Sequence, residues 1–179
     1  MTTMGKRQSF LPIPVIPEHT EYLEAGAITI GVGYRLLTNE IIDAYLAKVG
    51  YARPKTVNYQ ADDGGVSIFV FSKEGEEYKE HLRLDCFDRE PHYHYVFQKE
   101  NAQDRVHLDP VVTGDAMAWA FWCLTHRLPD VLRHVGQPEV AEKVDVKRIE
   151  AVLPEVRAAV KRSEERYIKA TGKQAIFSR

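Results

Sequence analysis

Apolar residues recur at every second position through short stretches of the first two-thirds of the chain, and at helical spacing after that. Over residues 27–36, Ile28, Ile30, Val32, Tyr34 and Leu36 point one way and Ala27, Thr29, Gly31 and Gly33 the other, which predicts a strand. Its small face predicts that another backbone or a ligand comes close there. Thr38 reads as the cap of a helix reaching Val49, with Ile41, Ile42, Tyr45 and Leu46 at helical spacing and Gly50 as the stop. Residues 51–65 read as loop, closing with the turn signal Asp62-Asp63-Gly64-Gly65. Strands are predicted over 66–71, 78–87, 92–98 and 105–109.

Beyond Pro110 the period changes. Residues 113–127 predict a helix so apolar that it is buried on most sides, with Trp119 and Trp122 filling the core. Pro129 breaks it, and shorter helices are predicted over 131–135 and 138–143. A last helix spans 154–170, with Pro154 in its first turn and Gly172 just past its end. Residues 1–20 read as an extended arm, since Pro12, Pro14 and Pro17 suit neither helix nor central strand and its apolar members need a surface to cover. Strands first and helices second predict an α+β fold. An antiparallel β-meander of about four to five strands packs against a C-terminal set of helices, in a single domain: arm 1–20, mainly sheet with one helix 27–109, helical 113–172.

Composition narrows the class without naming an activity. The chain has 179 residues, 44% hydrophobic and 28% charged, with 24 Lys+Arg against 26 Asp+Glu, a net charge of −2. That argues against a disordered chain and against a nucleic-acid binder working through overall positive charge. Residues 156–179 carry seven Lys/Arg against two Glu, which reads as a solvated helix face. No apolar run is long enough for a membrane helix, and the prolines interrupt any secretory signal. Two cysteines, Cys86 and Cys123, make no disulfide framework, so a cytoplasmic setting is expected and both thiols read as core. Gly31-Val32-Gly33 lacks the third glycine of a dinucleotide site, and no phosphate loop, nucleophile elbow or HExxH helix is present.

The strands carry the candidate chemistry. If Asp88-Arg89-Glu90-Pro91 connects two strands with Phe87 facing His92, then Asp85 faces His94, Arg83 faces Val96, and most apolar residues share one face. If the next loop takes most of 99–103 and Phe97 faces Asp104, His94 faces His107 and Val96 faces Arg105, with His92 near Asp109. Asp85, His94 and His107 then form a row, with His92 one step along. Three imidazoles, His92, His94 and His107, suit a divalent transition metal such as Zn. Alternatively Asp85 orients His94 as a general base, with His107 beside them, and Arg83 or Arg105 binds a small anionic substrate.

His92-Tyr93-His94 followed by Glu100 resembles half of the cupin metal motif. Glu100 stands one residue later than that motif places its acid, Cys86 occupies the position of its glycine, and no second half follows. A cupin would also be all-β, which the helical C-terminal third contradicts. His19-Thr20-Glu21-Tyr22, Leu84-Asp85-Cys86-Phe87 and Pro91-His92-Tyr93-His94-Tyr95 resemble segments of an uncharacterised bacterial protein family; that resemblance implies a bacterial origin and no activity. Two functions follow: a small His-dependent enzyme, using metal or acid/base chemistry on the polar face of the sheet, or a non-catalytic binding module that homodimerises through that face or the arm.

Overall fold

A computed structural model of the chain describes residues 5–52 and 62–172. Seven strands form one antiparallel sheet: β1 (Lys6–Gln8), β2 (Thr20–Ala25), β3 (Ile28–Thr38), β4 (Asp62–Glu74), β5 (Glu77–Phe87), β6 (His92–Phe97) and β7 (Ala102–His107). Their order is β1-β7-β6-β5-β4-β3-β2, a meander closed at one edge by the N-terminal strand. The α+β class stands, with seven strands in place of four to five. The two unexpected strands are the edges. β1 is Lys-Arg-Gln, three polar residues without alternation, and it is held by backbone pairing to β7 (Arg7 opposite Asp104). β2 likewise pairs only with β3.

The alternation decides which face is covered by what. Ile30, Val32, Ile68, Val70, Leu82 and Leu84 pack against the C-terminal helices in one buried cluster. These helices are α2 (Pro110–Thr113), α3 (Ala116–His126), α4 (Leu128–His134), α5 (Pro138–Glu142) and α6 (Val146–Thr171). Leu124, Leu128, Ile149, Val156 and Ala159 supply their side of that core. At roughly 1.5 to 3 kcal/mol per fully buried aliphatic side chain, this layer is the main source of stability. Trp119 packs on it beside Tyr93, with ring centroids 5.2 Å apart. Trp122 does not: it is 47% exposed and stacks on His126 one turn along. Cys86 and Cys123 are buried free thiols, and burial pushes their ionisation up and disfavours the reactive thiolate.

Two boundaries differ from expectation for local reasons. Asp62-Asp63-Gly64-Gly65 is not a turn but the start of β4, paired with Leu36 and Leu37 of β3. A Cβ on Gly64 would lie 2.4 Å from the Arg35 carbonyl oxygen, so the glycine serves close strand approach. Most of the expected loop, 53–61, lies outside the described residues. The last helix starts at Val146, not at Pro154, because Asp145 caps it by accepting from the Lys147 and Arg148 amides. Pro154 therefore sits inside α6, which persists because Ile149 and Val156 on either side are fully buried. Gly172 does end the helix, at φ 67°.

The other face of the sheet is polar and is roofed by the arm and α1 (Asn39–Lys48). Thr38 caps α1 as expected. Phe10 is buried, its ring lies 6.3 Å from Tyr45 and 5.3 Å from Tyr51, and Tyr45 Oη donates to the Leu11 carbonyl at 2.7 Å. Between roof and sheet lies a cavity of about 280 Å³. Of the small face of β3, Gly33 is met by the His19 backbone and Thr20, and Gly31 by the Phe71 and Phe69 rings.

Candidate metal centre

The polar face holds side chains that an open sheet surface would not bury. Arg83 and Asp85 are 2% exposed, His92 3% and His94 7%. Their parity is the expected one, but the register is not. Asp85 faces His92 and Arg83 faces His94, two residues away from the expected pairing. The cause lies in the connection. The Asp88 amide donates to the Gly64 carbonyl (2.9 Å), and the Arg89 and Glu90 amides donate to the Asp63 carboxylate (3.1 and 2.9 Å). The turn is thus captured by β4 and cannot close tightly on itself. In the next hairpin Asn101 takes a left-handed conformation (φ 48°) and closes a four-residue loop. Phe97 then faces Ala102, His94 faces Arg105 and His92 faces His107. A slip of two residues changes partners but keeps faces.

Three donors converge in consequence. His92 Nε2 and His94 Nε2 stand 3.2 and 3.3 Å from the same oxygen of Asp85, Oδ2, and all three atoms lie within 4.8 Å of one another. The far side of each group is occupied. His92 Nδ1 is 2.7 Å from the Glu90 carbonyl oxygen, an acceptor only, so Nδ1 carries the proton and donates. An Arg105 nitrogen also lies near that Nδ1, at 3.4 Å, but the much shorter contact decides the tautomer. His94 Nδ1 donates to Gln103 Oε1 at 2.6 Å, and Asp85 Oδ1 accepts from Ser67 Oγ at 2.5 Å. With Nδ1–H committed to a main-chain carbonyl, His92 Nε2 facing Asp85 either carries a second proton or offers its lone pair to a cation, and His94 Nε2 does the same while Gln103 presents its oxygen. Burial alone would raise the Asp85 carboxyl; hydrogen bonds and charge from His92 and His94 overcome it and hold the group well below the ordinary carboxylate range. Burial also lowers His94, with Asp85 opposing only part of the effect, which keeps its Nε2 available as a ligand near neutral pH.

Other expected site residues fall elsewhere. His107 is exposed, outside the group of three, and its Nε2 accepts from Arg105 at 3.0 Å. Arg83 is fully engaged: it binds Glu80 bidentately (2.6 and 2.8 Å), donates to the Ile13 carbonyl (2.9 Å) and lies over the Phe69 ring. That makes it the clamp joining sheet to arm. Arg105 lies at the cavity wall, between His107 and Glu90. Glu100, the acid of the cupin-like spacing, is paired with Arg7 on the surface. Sequence reasoning missed Ser67, Gln103 and Arg35. Ser67 is the one polar residue between Val66 and Ile68, and Arg35 continues the glycine face of β3, so parity alone could have placed both.

The open side of the three donors faces the cavity. Its lining includes Lys6, Arg35, Arg83 and Arg105 against one carboxylate, Asp85, with an apolar wall from Phe10, Ile42, Tyr45 and Leu46. Among the described residues no helix is long and apolar enough to cross a membrane. The basic C-terminal helix face is partly neutralised, Arg162 pairing with Glu21 and Glu155 at 2.7 Å. No curated protein and no solved structure matches this chain. Residues 22–160, which hold Arg35 and all three converging donors, match a family described as a domain of unknown function, DUF7700, and the chain belongs to that family.

Proposed function

We propose that the protein is a metal-dependent enzyme whose mononuclear centre is held by Asp85, His92 and His94. The observation that carries this reading is the pair of Nε2 atoms on one Asp85 oxygen, with both Nδ1 protons already given to acceptors. Ligating histidines characteristically donate their other N–H to a carbonyl or carboxamide, and ligating carboxylates are hydrogen-bonded in turn; Glu90, Gln103 and Ser67 supply all three supports. Two imidazoles and a carboxylate suit a first-row divalent ion such as zinc, iron(II) or manganese. Three protein ligands leave coordination positions open, which distinguishes a catalytic site from a closed structural one. An ion there would act as a Lewis acid toward a bound oxygen atom. The chain's own residues position the ligands, and the arm and α1 roof one side of the cavity.

The test is elemental analysis of purified, untagged protein by plasma mass spectrometry, with the same measurement on His94→Ala. One metal ion per chain, lost in the variant while circular dichroism is unchanged, is the expected result. Metal-free wild-type protein that also fails to take up zinc, iron(II) or manganese on dialysis would overturn the reading and leave a buried imidazolium–carboxylate pair as the chemistry of the site.

A further inference from the structure

Arg35 is 5% exposed and lines the same cavity as the three donors; among the described residues it makes no hydrogen bond and no ion pair within 4 Å, and its charge favours the ionised Glu80 carboxyl from farther away. Its nitrogens are not among the fully buried polar atoms that lack a partner, so the guanidinium reaches the open space of the cavity with its hydrogen-bonding capacity free. Glu80, the acid whose ionised form Arg35 favours, is already bound by both prongs of Arg83. Around Arg35 the cavity is apolar and partly aromatic: Leu37 follows on the same strand, and Phe10, Ile42, Tyr45 and Tyr51 come from the roof. Charge is needed on one side of a ligand and oil on the other.

We infer that Arg35 is the anchor for the carboxylate of a small apolar or aromatic carboxylic acid, bound with its remaining body between α1 and the sheet. A guanidinium offers two parallel N–H donors that match a planar carboxylate bidentately. The single uncommitted fork and the apolar wall favour this monoanion over a phosphate, since Arg83, the other buried guanidinium of the cavity, is already engaged by Glu80 and Ile13. Lys6 is exposed and Arg105 half-buried, so both sit where they would steer an anion inward. This inference rests on the metal-centre reading for the ligand's role as substrate, but binding to Arg35 is independent of the ion.

Isothermal titration calorimetry on the full chain decides it, with benzoate, acetate, benzamide and inorganic phosphate as probes. Benzoate should bind at least 10-fold more tightly than acetate, which lacks the ring, than benzamide, which lacks the charge, and than phosphate. Arg35→Met should lose that binding by 10-fold or more while keeping its metal content, and His94→Ala should keep benzoate binding while losing metal. Unchanged benzoate affinity in Arg35→Met, or phosphate binding more tightly than benzoate, overturns the inference. Arg35-dependent benzoate binding in a protein that takes up no metal would overturn the metal reading alone and leave this one standing.

Discussion

His92 faces Asp85 directly across β5 and β6, and their Nε2 and Oδ2 atoms stand 3.2 Å apart. The other nitrogen of that ring is bound to a main-chain carbonyl, which cannot rotate to become a donor. His92 therefore cannot relieve the site by changing tautomer, whereas His94 could if the Gln103 amide turned over. An ion placed between Nε2 and Oδ2 would meet a lone pair on each side, as the proposed centre requires.

The supports of the ligands should matter almost as much as the ligands. Ser67→Ala removes the donor to Asp85 Oδ1 and Gln103→Leu removes the acceptor for His94 Nδ1. Each should weaken metal binding by roughly 10- to 100-fold with an unchanged far-ultraviolet spectrum. Competition titration against a chromophoric chelator measures it, and an unaltered affinity in both variants would remove the supports from the site.

The Arg83–Glu80 pair should behave as structure rather than as substrate binding. Both side chains are nearly buried, at 2% and 11% exposure, so removing one partner strands the other. Glu80→Gln and Arg83→Met should each destabilise by roughly 3 to 5 kcal/mol in urea. Arg83→Met should also free the arm, which limited proteolysis near residue 13 would detect. A stable Arg83→Met protein with an intact arm would contradict the clamp.

Acid should destabilise the chelated, metal-free protein through His81. This residue occupies the β-bulge between Val70 and Phe71, where burial lowers its imidazole from 6.5 to about 4 and Nδ1 has no partner. Its folded value lies below the unfolded one, so the unfolded chain takes the proton first. The contribution is complete above pH 6.5 and is lost as the pH falls toward 4, roughly 3 kcal/mol in all. His94 and Asp85, both lowered, act with the same sign, Asp85 only below its ordinary value of 3.8. Replacing His81 and its Ser72 partner together, as Ser72→Ala/His81→Leu, should flatten the stability profile between pH 6.5 and 4. Urea midpoints at four pH values suffice to see it.

Pro154 should be a cost carried by α6. It is exposed and lies eight residues into the helix, where it removes an N–H from the ladder. Pro154→Ala should stabilise by about 1 to 3 kcal/mol with an unchanged dependence on denaturant. A lower midpoint in urea would mean that the helix needs the proline's rigidity.

Much of this protein is decided by local pattern. Period-2 alternation by itself puts Arg83, Asp85, His92 and His94 on one face, because a side chain's face depends only on its parity along the strand. Thr38 and Gly172 marked helix ends through cap chemistry that acts within a few residues. Register is another matter. Moving His92 from Phe87 to Asp85 leaves every face intact, so alternation cannot choose between the two. The choice came from Asp63 and Gly64, more than twenty residues earlier in the chain, binding the connecting turn. Burial of the polar face was equally non-local, since it required the arm and α1 to fold over it. The sequence alone determined which side chains share a surface; only the tertiary structure decided which of them touch, and that the surface lies under a roof and lines a cavity.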